Sequence, residues 1–106
     1  MRIVKKLYDR PMGDVQTISD AEIATALDDL PLWLRDGDTI RRVFDRGDFT
    51  GAVEFVNQIL PLAELANHHP DVEISWKDVT LTLTTHSAGG LTAADFELAR
   101  QIDLVA

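Results

Sequence analysis

Between Pro70 and Gly89 the chain alternates with a period of two. Val72, Ile74 and Trp76 are interleaved with Glu73, Ser75 and Lys77, and beyond Asp78 the series Val79, Leu81, Leu83 is interleaved with Thr80, Thr82 and Thr84. Successive side chains of a strand point to opposite faces, so the pattern predicts two antiparallel strands sharing one buried face. An apolar sheet face has to be covered, and the preceding segment supplies a cover. From Asp48 onward, Ala52, Val53, Val56, Ile59, Leu60, Ala63 and Ala66 recur at steps of three and four, a wide apolar stripe on one long helix. Pro61 removes a backbone hydrogen bond within that helix and crowds the carbonyl of Asn57, which predicts a kink. Pro70 disfavours helical geometry at His69 and ends the element.

The flanks complete the order. Ser19 followed by Glu22 has the spacing of a capping box, and Ile23, Leu27 and Leu30 then repeat at helical intervals up to Pro31, predicting a helix near residues 20–29. Leu32 to Leu34 and Thr39 to Phe44, separated by Asp36-Gly37-Asp38, read as a hairpin. Ser87-Ala88-Gly89-Gly90 breaks the last strand, and Thr92 starts a final helix with Phe96, Ala99, Ile102 and Leu104 or Val105 toward the core. The expectation is an α+β domain in the order α-β-β-α-β-β-α. Residues 1–18 hold Arg2, Lys5, Lys6 and Arg10 and the turn signal Pro11-Met12-Gly13-Asp14. They are read as an N-terminal extension of unassigned role, an edge strand through Ile3-Val4 and Leu7-Tyr8 or a tail. Residues 19–106 are read as one domain.

A chain of 106 residues is long enough for one core and too short for two. Its formal charge of −8 would repel a phosphate backbone or an anionic membrane, so neither nucleic acid nor membrane is expected as a partner. Without cysteine there is no disulfide framework, thiolate nucleophile or Cys-ligated metal. No apolar run approaches the roughly 20 residues of a spanning helix, and Met1 to Arg10 carries charges where a signal peptide needs an apolar stretch. The expected location is cytoplasmic.

The chemistry then falls to His, Asp, Glu, Ser and Thr. In Glu64-Leu65-Ala66-Asn67-His68-His69-Pro70 two imidazoles stand at a helix end, and Glu64 is expected to share a face with His68 four residues on. Taken alone, the pair fits solvated helix-end residues, a metal site or catalysis, although two adjacent histidines seldom turn toward one ion. His86 shares the parity of Thr80, Thr82 and Thr84 and is expected on the polar side of its strand. Gly89 and Gly90 follow it, and glycine lets backbone approach a ligand closely, so Thr84 to Gly90 fits the wall of a small-molecule pocket. Asp95, three residues after Thr92, has the place of a capping-box acid. Trp33 and Trp76 read as core or rim aromatics.

Glu64, His68-His69-Pro70, Trp76, His86 and Asp95, at these spacings, resemble the signature of the pterin-4a-carbinolamine dehydratase family. Thr84-Thr85-His86-Ser87-Ala88-Gly89-Gly90-Leu91-Thr92 resembles that family's strand-to-helix turn, and the likeness runs from about Ile18 to Val105. The resemblance implies a four-stranded antiparallel sheet with three helices on one face, assembled as a homodimer or homotetramer. It implies dehydration of 4a-hydroxytetrahydrobiopterin to the quinonoid dihydropterin, which recycles the pterin cofactor of aromatic amino-acid hydroxylases without a metal or cofactor of its own. The step protonates the departing 4a-hydroxyl and takes a proton from N5, work suited to groups that titrate near neutrality. On this resemblance His68 and His86 are the acid-base pair, with direction unassigned, and His69 joins them in the catalytic set. Glu64, Thr84, Thr85, Asp95 and Trp33 are the expected substrate-binding residues. Two positions depart from the commonest pattern: Asn67 stands where Asp is frequent, and Ala94 where Arg often precedes the signature Asp. Some relatives act as protein-binding modules, in transcription-factor dimerisation or Rubisco assembly, which is the alternative reading.

Overall fold

The computed structural model describes residues 16–106; most of the N-terminal extension therefore lies outside the described residues. The elements are α1 (Asp20–Asp28), β1 (Leu34–Asp36), β2 (Thr39–Asp45), α2 (Phe49–Ala66), β3 (Asp71–Ser75), β4 (Asp78–Leu83) and α3 (Ala93–Val105), the order the periodicity predicts. A short 3-10 turn at His86–Ala88 links β4 to α3. The four strands form one antiparallel sheet ordered β1-β2-β4-β3, with the three helices on one face.

Register explains the layering. Ile40 pairs with Leu83, Arg42 with Leu81 and Phe44 with Val79 across β2 and β4, so the apolar members of both strands share the face beneath the helices. Ile40, Val79, Leu81 and Leu83 are fully buried there, against Phe55 and Ile59 of α2 and Phe96, Ala99 and Ile102 of α3. Burying each such side chain contributes about 1.5–3 kcal/mol, and this layer is the main source of stability.

Local chemistry starts and stops the helices where the sequence signals them. Ser19 and Glu22 form a reciprocal capping box at α1, and Thr92 and Asp95 another at α3. Asp48 caps α2, its carboxylate accepting the Gly51 N–H at 2.7 Å. A Cβ at Gly51 would lie 2.2 Å from the Arg46 carbonyl oxygen, so only glycine fits this first turn. Pro61 lies inside α2, which continues through it to Ala66.

Three expectations shift. The first strand starts at Leu34, not Leu32, and Trp33 turns inward: it is 2% exposed, packs edge-on to Phe44 and donates its indole N–H to Asp103 at 2.8 Å. β3 is an edge strand whose apolar side is only partly covered: Val72 is 44% exposed, and Ile74 packs against the core while only partly buried. Trp76 lies outside that strand, at the hairpin turn with φ of 52° and exposed. At the other end, Ile18 packs against the core and its N–H donates to the Leu91 carbonyl at 3.1 Å.

Candidate functional site

The end of α2 sets the geometry of the histidines. Asn67 takes the left-handed conformation (φ 50°, ψ 43°), its N–H donating to the Glu64 carbonyl while that of His68 reaches back to Ala63. These are the two hydrogen bonds of a Schellman motif, with asparagine in the position glycine usually fills. The helix thus stops before His68, and the chain reverses. Glu64 and His68, expected to share a helix face, do not, because α2 ends at Ala66; Glu64 Oε2 instead meets His69 Nε2 at 2.6 Å, in an exposed contact.

His68 turns the other way, into the protein. Its Nε2 lies 2.5 Å from Asp95 Oδ1, with the imidazole half-buried and the Asp95 side chain fully buried. The other carboxylate oxygen, Oδ2, accepts the Thr92 N–H and the Thr85 hydroxyl, each at 2.9 Å. Thr85 has one hydroxyl proton and it is committed to Asp95, so in its 2.8 Å contact with Thr92 Oγ1 it is Thr92 that donates. The His68 ring, the Thr85 hydroxyl and the Thr92 N–H converge on the Asp95 carboxylate. Carboxylate oxygens only accept, so the hydrogen-bonded form of His68 carries its proton on Nε2, leaving Nδ1 to exchange one.

Thr85 joins this network to the third histidine. Asp71 pairs with Thr82 where β3 meets β4, so His68 to Pro70, just before β3, run beside the continuation of β4 through Thr84 to His86. Thr85 keeps the inward parity of Leu81 and Leu83 and is buried, whereas His86, the first residue of the 3-10 turn that follows β4, is exposed. The loop after it is closed at both ends of one bridge, Thr85 N–H to Gly90 O at 3.1 Å and Gly90 N–H to Thr85 O at 3.3 Å. An open cleft of about 300 Å³ lies over this loop, lined by Asp38, Thr39, Thr84, His86, Gly89 and Gly90.

The expected site residues therefore divide. His68, Asp95 and Thr85 are brought together in one buried network; Glu64 and His69 form an exposed pair beside it; His86 and Thr84 line the cleft. Asp95 is both helix cap and histidine partner, and the capping signal alone shows only the first role. Trp33 and Trp76 are not brought into this neighbourhood: Trp33 bridges sheet and α3, and Trp76 lies at the β3–β4 turn, the opposite end of β4 from Thr84. Asp38 and Thr39 at the cleft and Thr92 in the network carry no site signal in the sequence, where Asp38 reads only as part of a turn. Among the described residues no group of three or more His, Asp or Glu side chains could hold a metal ion, consistent with His68 and His69 facing different carboxylates.

Fold and site together define a small α+β domain that presents histidine and carboxylate groups suited to proton transfer at one end of its sheet. The chain belongs to the pterin 4 alpha carbinolamine dehydratase family, whose model matches residues 16–105. A relative from Nocardia farcinica is 53% identical over 91 residues, covering 86% of this chain and 96% of its own. One from Roseiflexus sp. is 55% identical over 86 residues, covering 81% and 92%. Among solved structures, the transcriptional coactivator/pterin dehydratase from Brucella melitensis is similar with a TM-score of 0.81 and 32% identity, over 86% of this chain and 99% of that one. A pterin dehydratase-like protein described as a RuBisCO assembly factor of the alpha-carboxysome shares the fold at a TM-score of 0.56 and 20% identity, over 70% and 86%.

Proposed function

We propose that the protein is a lyase that dehydrates 4a-hydroxytetrahydrobiopterin to quinonoid dihydrobiopterin, recycling the pterin used by aromatic amino-acid hydroxylases. The observation that carries this is the bond from His68 to the buried Asp95, one residue removed, through Thr85, from His86. Loss of water from the carbinolamine requires a proton delivered to the 4a-hydroxyl and one removed from N5. His68, oriented by Asp95 with Nδ1 left for exchange, is one partner in that transfer and His86, on the cleft wall, is the other. Thr84 and the backbone of Thr84 to His86 hold the ring, and Glu64 orients it through His69. Thr85 and Asp95 act behind His68. No residue of this scheme calls for a metal or cofactor.

The test is a stopped assay with chemically generated 4a-hydroxytetrahydropterin. Wild-type protein is expected to accelerate dehydration, and His68→Ala or His86→Ala to slow it by roughly two to four orders of magnitude. Failure of the wild type to exceed buffer would refute the enzyme reading. It would favour a protein-binding module instead, the reading that the words "transcriptional coactivator" in the description of the Brucella melitensis structure support. The proposal includes a cytoplasmic location and self-association as a dimer or tetramer. Exposed Phe49, Val53 and Leu60, spaced along α2 at helical intervals, support the latter, and light scattering measures it.

A further inference from the structure

Asp38 stands at the mouth of the cleft and has no part in the acid-base scheme. It belongs to the β1–β2 turn, where Gly37 takes φ of 60°. Its backbone carbonyl accepts the Thr84 hydroxyl at 2.6 Å, which ties the turn to the end of β4. Its side chain lies beside Gly90: Asp38 Oδ1 is 3.6 Å from where a Cβ of Gly90 would stand. The Thr17 methyl lies on the same side of Gly90, 3.2 Å from that position, so the carboxylate's neighbours there are an apolar methyl and backbone. Among the described residues, no hydrogen bond or ion pair engages either of its oxygens. Of the six cleft-lining residues it is the one acid.

We propose that Asp38 is a specificity residue of the cleft, recognising the two-donor edge of a 2-amino-4-oxopyrimidine ring. This rests on the reading that the cleft takes a pterin. In the neutral pterin, N3–H and the 2-amino group point the same way, side by side. A carboxylate, which only accepts, matches that pair with two parallel charge-assisted hydrogen bonds. A ring that carries oxygen in place of the 2-amino group, as in lumazine, offers one donor and one acceptor and sets an oxygen against the carboxylate. An asparagine at position 38 would invert the match, its carbonyl accepting from N3–H and its amide donating to the 2-oxo group.

The test is the ratio of affinities for pterin and lumazine, measured by calorimetry at mildly acidic pH, where both rings are neutral, on wild type and Asp38→Asn. Wild type is expected to prefer pterin by about tenfold or more, the scale of a hydrogen bond to a charged group. Asp38→Asn is expected to lose that preference or reverse it, with its unfolding midpoint unchanged. An equal loss of affinity for both ligands, an unchanged ratio, or a wild type without preference would each overturn the proposal. The binding ratio separates this from the catalytic reading: a wild type that prefers pterin through Asp38 but shows no turnover leaves this inference standing and removes the dehydratase. One that turns over with a ratio indifferent to position 38 does the reverse.

Discussion

His68 Nε2 and Asp95 Oδ1 lie 2.5 Å apart although 27 residues separate them, and the carboxylate that receives the imidazole is wholly enclosed by protein. Through this pair the start of α3 fixes a side chain emerging from the end of α2. Asp95→Asn tests it. Asparagine still caps a helix, but its amide N–H would face His68 Nε2 and impose the other tautomer. Turnover should fall by about two orders of magnitude or more, the range of a lost acid-base function. Nitrogen NMR of the His68 ring should show the proton move from Nε2 to Nδ1; an unchanged tautomer would contradict the arrangement.

Thr85→Val removes the hydroxyl that donates to Asp95 and leaves both the carboxylate and the Thr92 hydroxyl short of a partner. A loss of about 1–3 kcal/mol in stability is expected from denaturant unfolding, with slower turnover. Thr85→Ser should recover most of both. Equal behaviour of the valine and serine variants would show that the hydroxyl contributes nothing.

The exposed pair of Glu64 and His69 should behave differently. Glu64→Gln is expected to change stability by less than about 0.5 kcal/mol, because the contact is solvated. Its effect belongs in KM rather than kcat if the pair orients the ring. A fall in kcat with KM untouched would place Glu64 in the chemical step instead.

Gly51→Ala forces a methyl group against the Arg46 carbonyl oxygen at the first turn of α2. About 1–3 kcal/mol of destabilisation is expected from such overpacking. Thermal unfolding followed by circular dichroism would measure it, and an unchanged midpoint would show that the turn relaxes freely.

The turn of the β3–β4 hairpin carries a pH-dependent clip. Lys77 donates to Asp45 at 2.8 Å and to Asp78 at 3.3 Å. The Lys77 hydrogen bond, and then the Gly47 N–H, hold the Asp45 carboxyl below its ordinary 3.8. The bonds to Asp45 and then Asp78 hold the Lys77 ammonium above its ordinary 10.5. Asp45 therefore stabilises the fold above its unfolded value, and this is lost as pH falls through the lowered one; the Lys77 share is lost as pH rises through the raised one. The difference in unfolding midpoint between wild type and Asp45→Asn should be present near neutrality and vanish toward both extremes. A difference constant with pH would dismiss the clip.

How far the sequence foretells this structure depends on how local each determinant is. Both capping boxes and the alternation of Val79, Leu81 and Leu83 are written in adjacent residues, and all appear as expected. β3 carries the same alternation, but an edge position leaves its apolar side half uncovered, and coverage is set by distant helices. The partner of Glu64 turns on one residue: Asn67, an amino acid tolerant of left-handed backbone, ends the helix early and sends the two histidines to different carboxylates. The Asn67 signal is visible in the sequence. The meeting of His68 with Asp95 is not, because it depends on how α2 and α3 pack. Trp33 shows the same limit, since its partner Asp103 is 70 residues away.

The bridge between Thr85 and Gly90 has a thermodynamic consequence. The Thr85 carbonyl also accepts the N–H groups of Ala88 and Gly89, so the loop beneath the cleft is knotted to a single oxygen before any ligand arrives. A floor already ordered has little conformational entropy left to lose, and a flat ring settling on it does not have to fold the surface it touches. Association should then be fast and little hindered by rearrangement, with selectivity left to the groups that rim the floor rather than to movement of the floor itself.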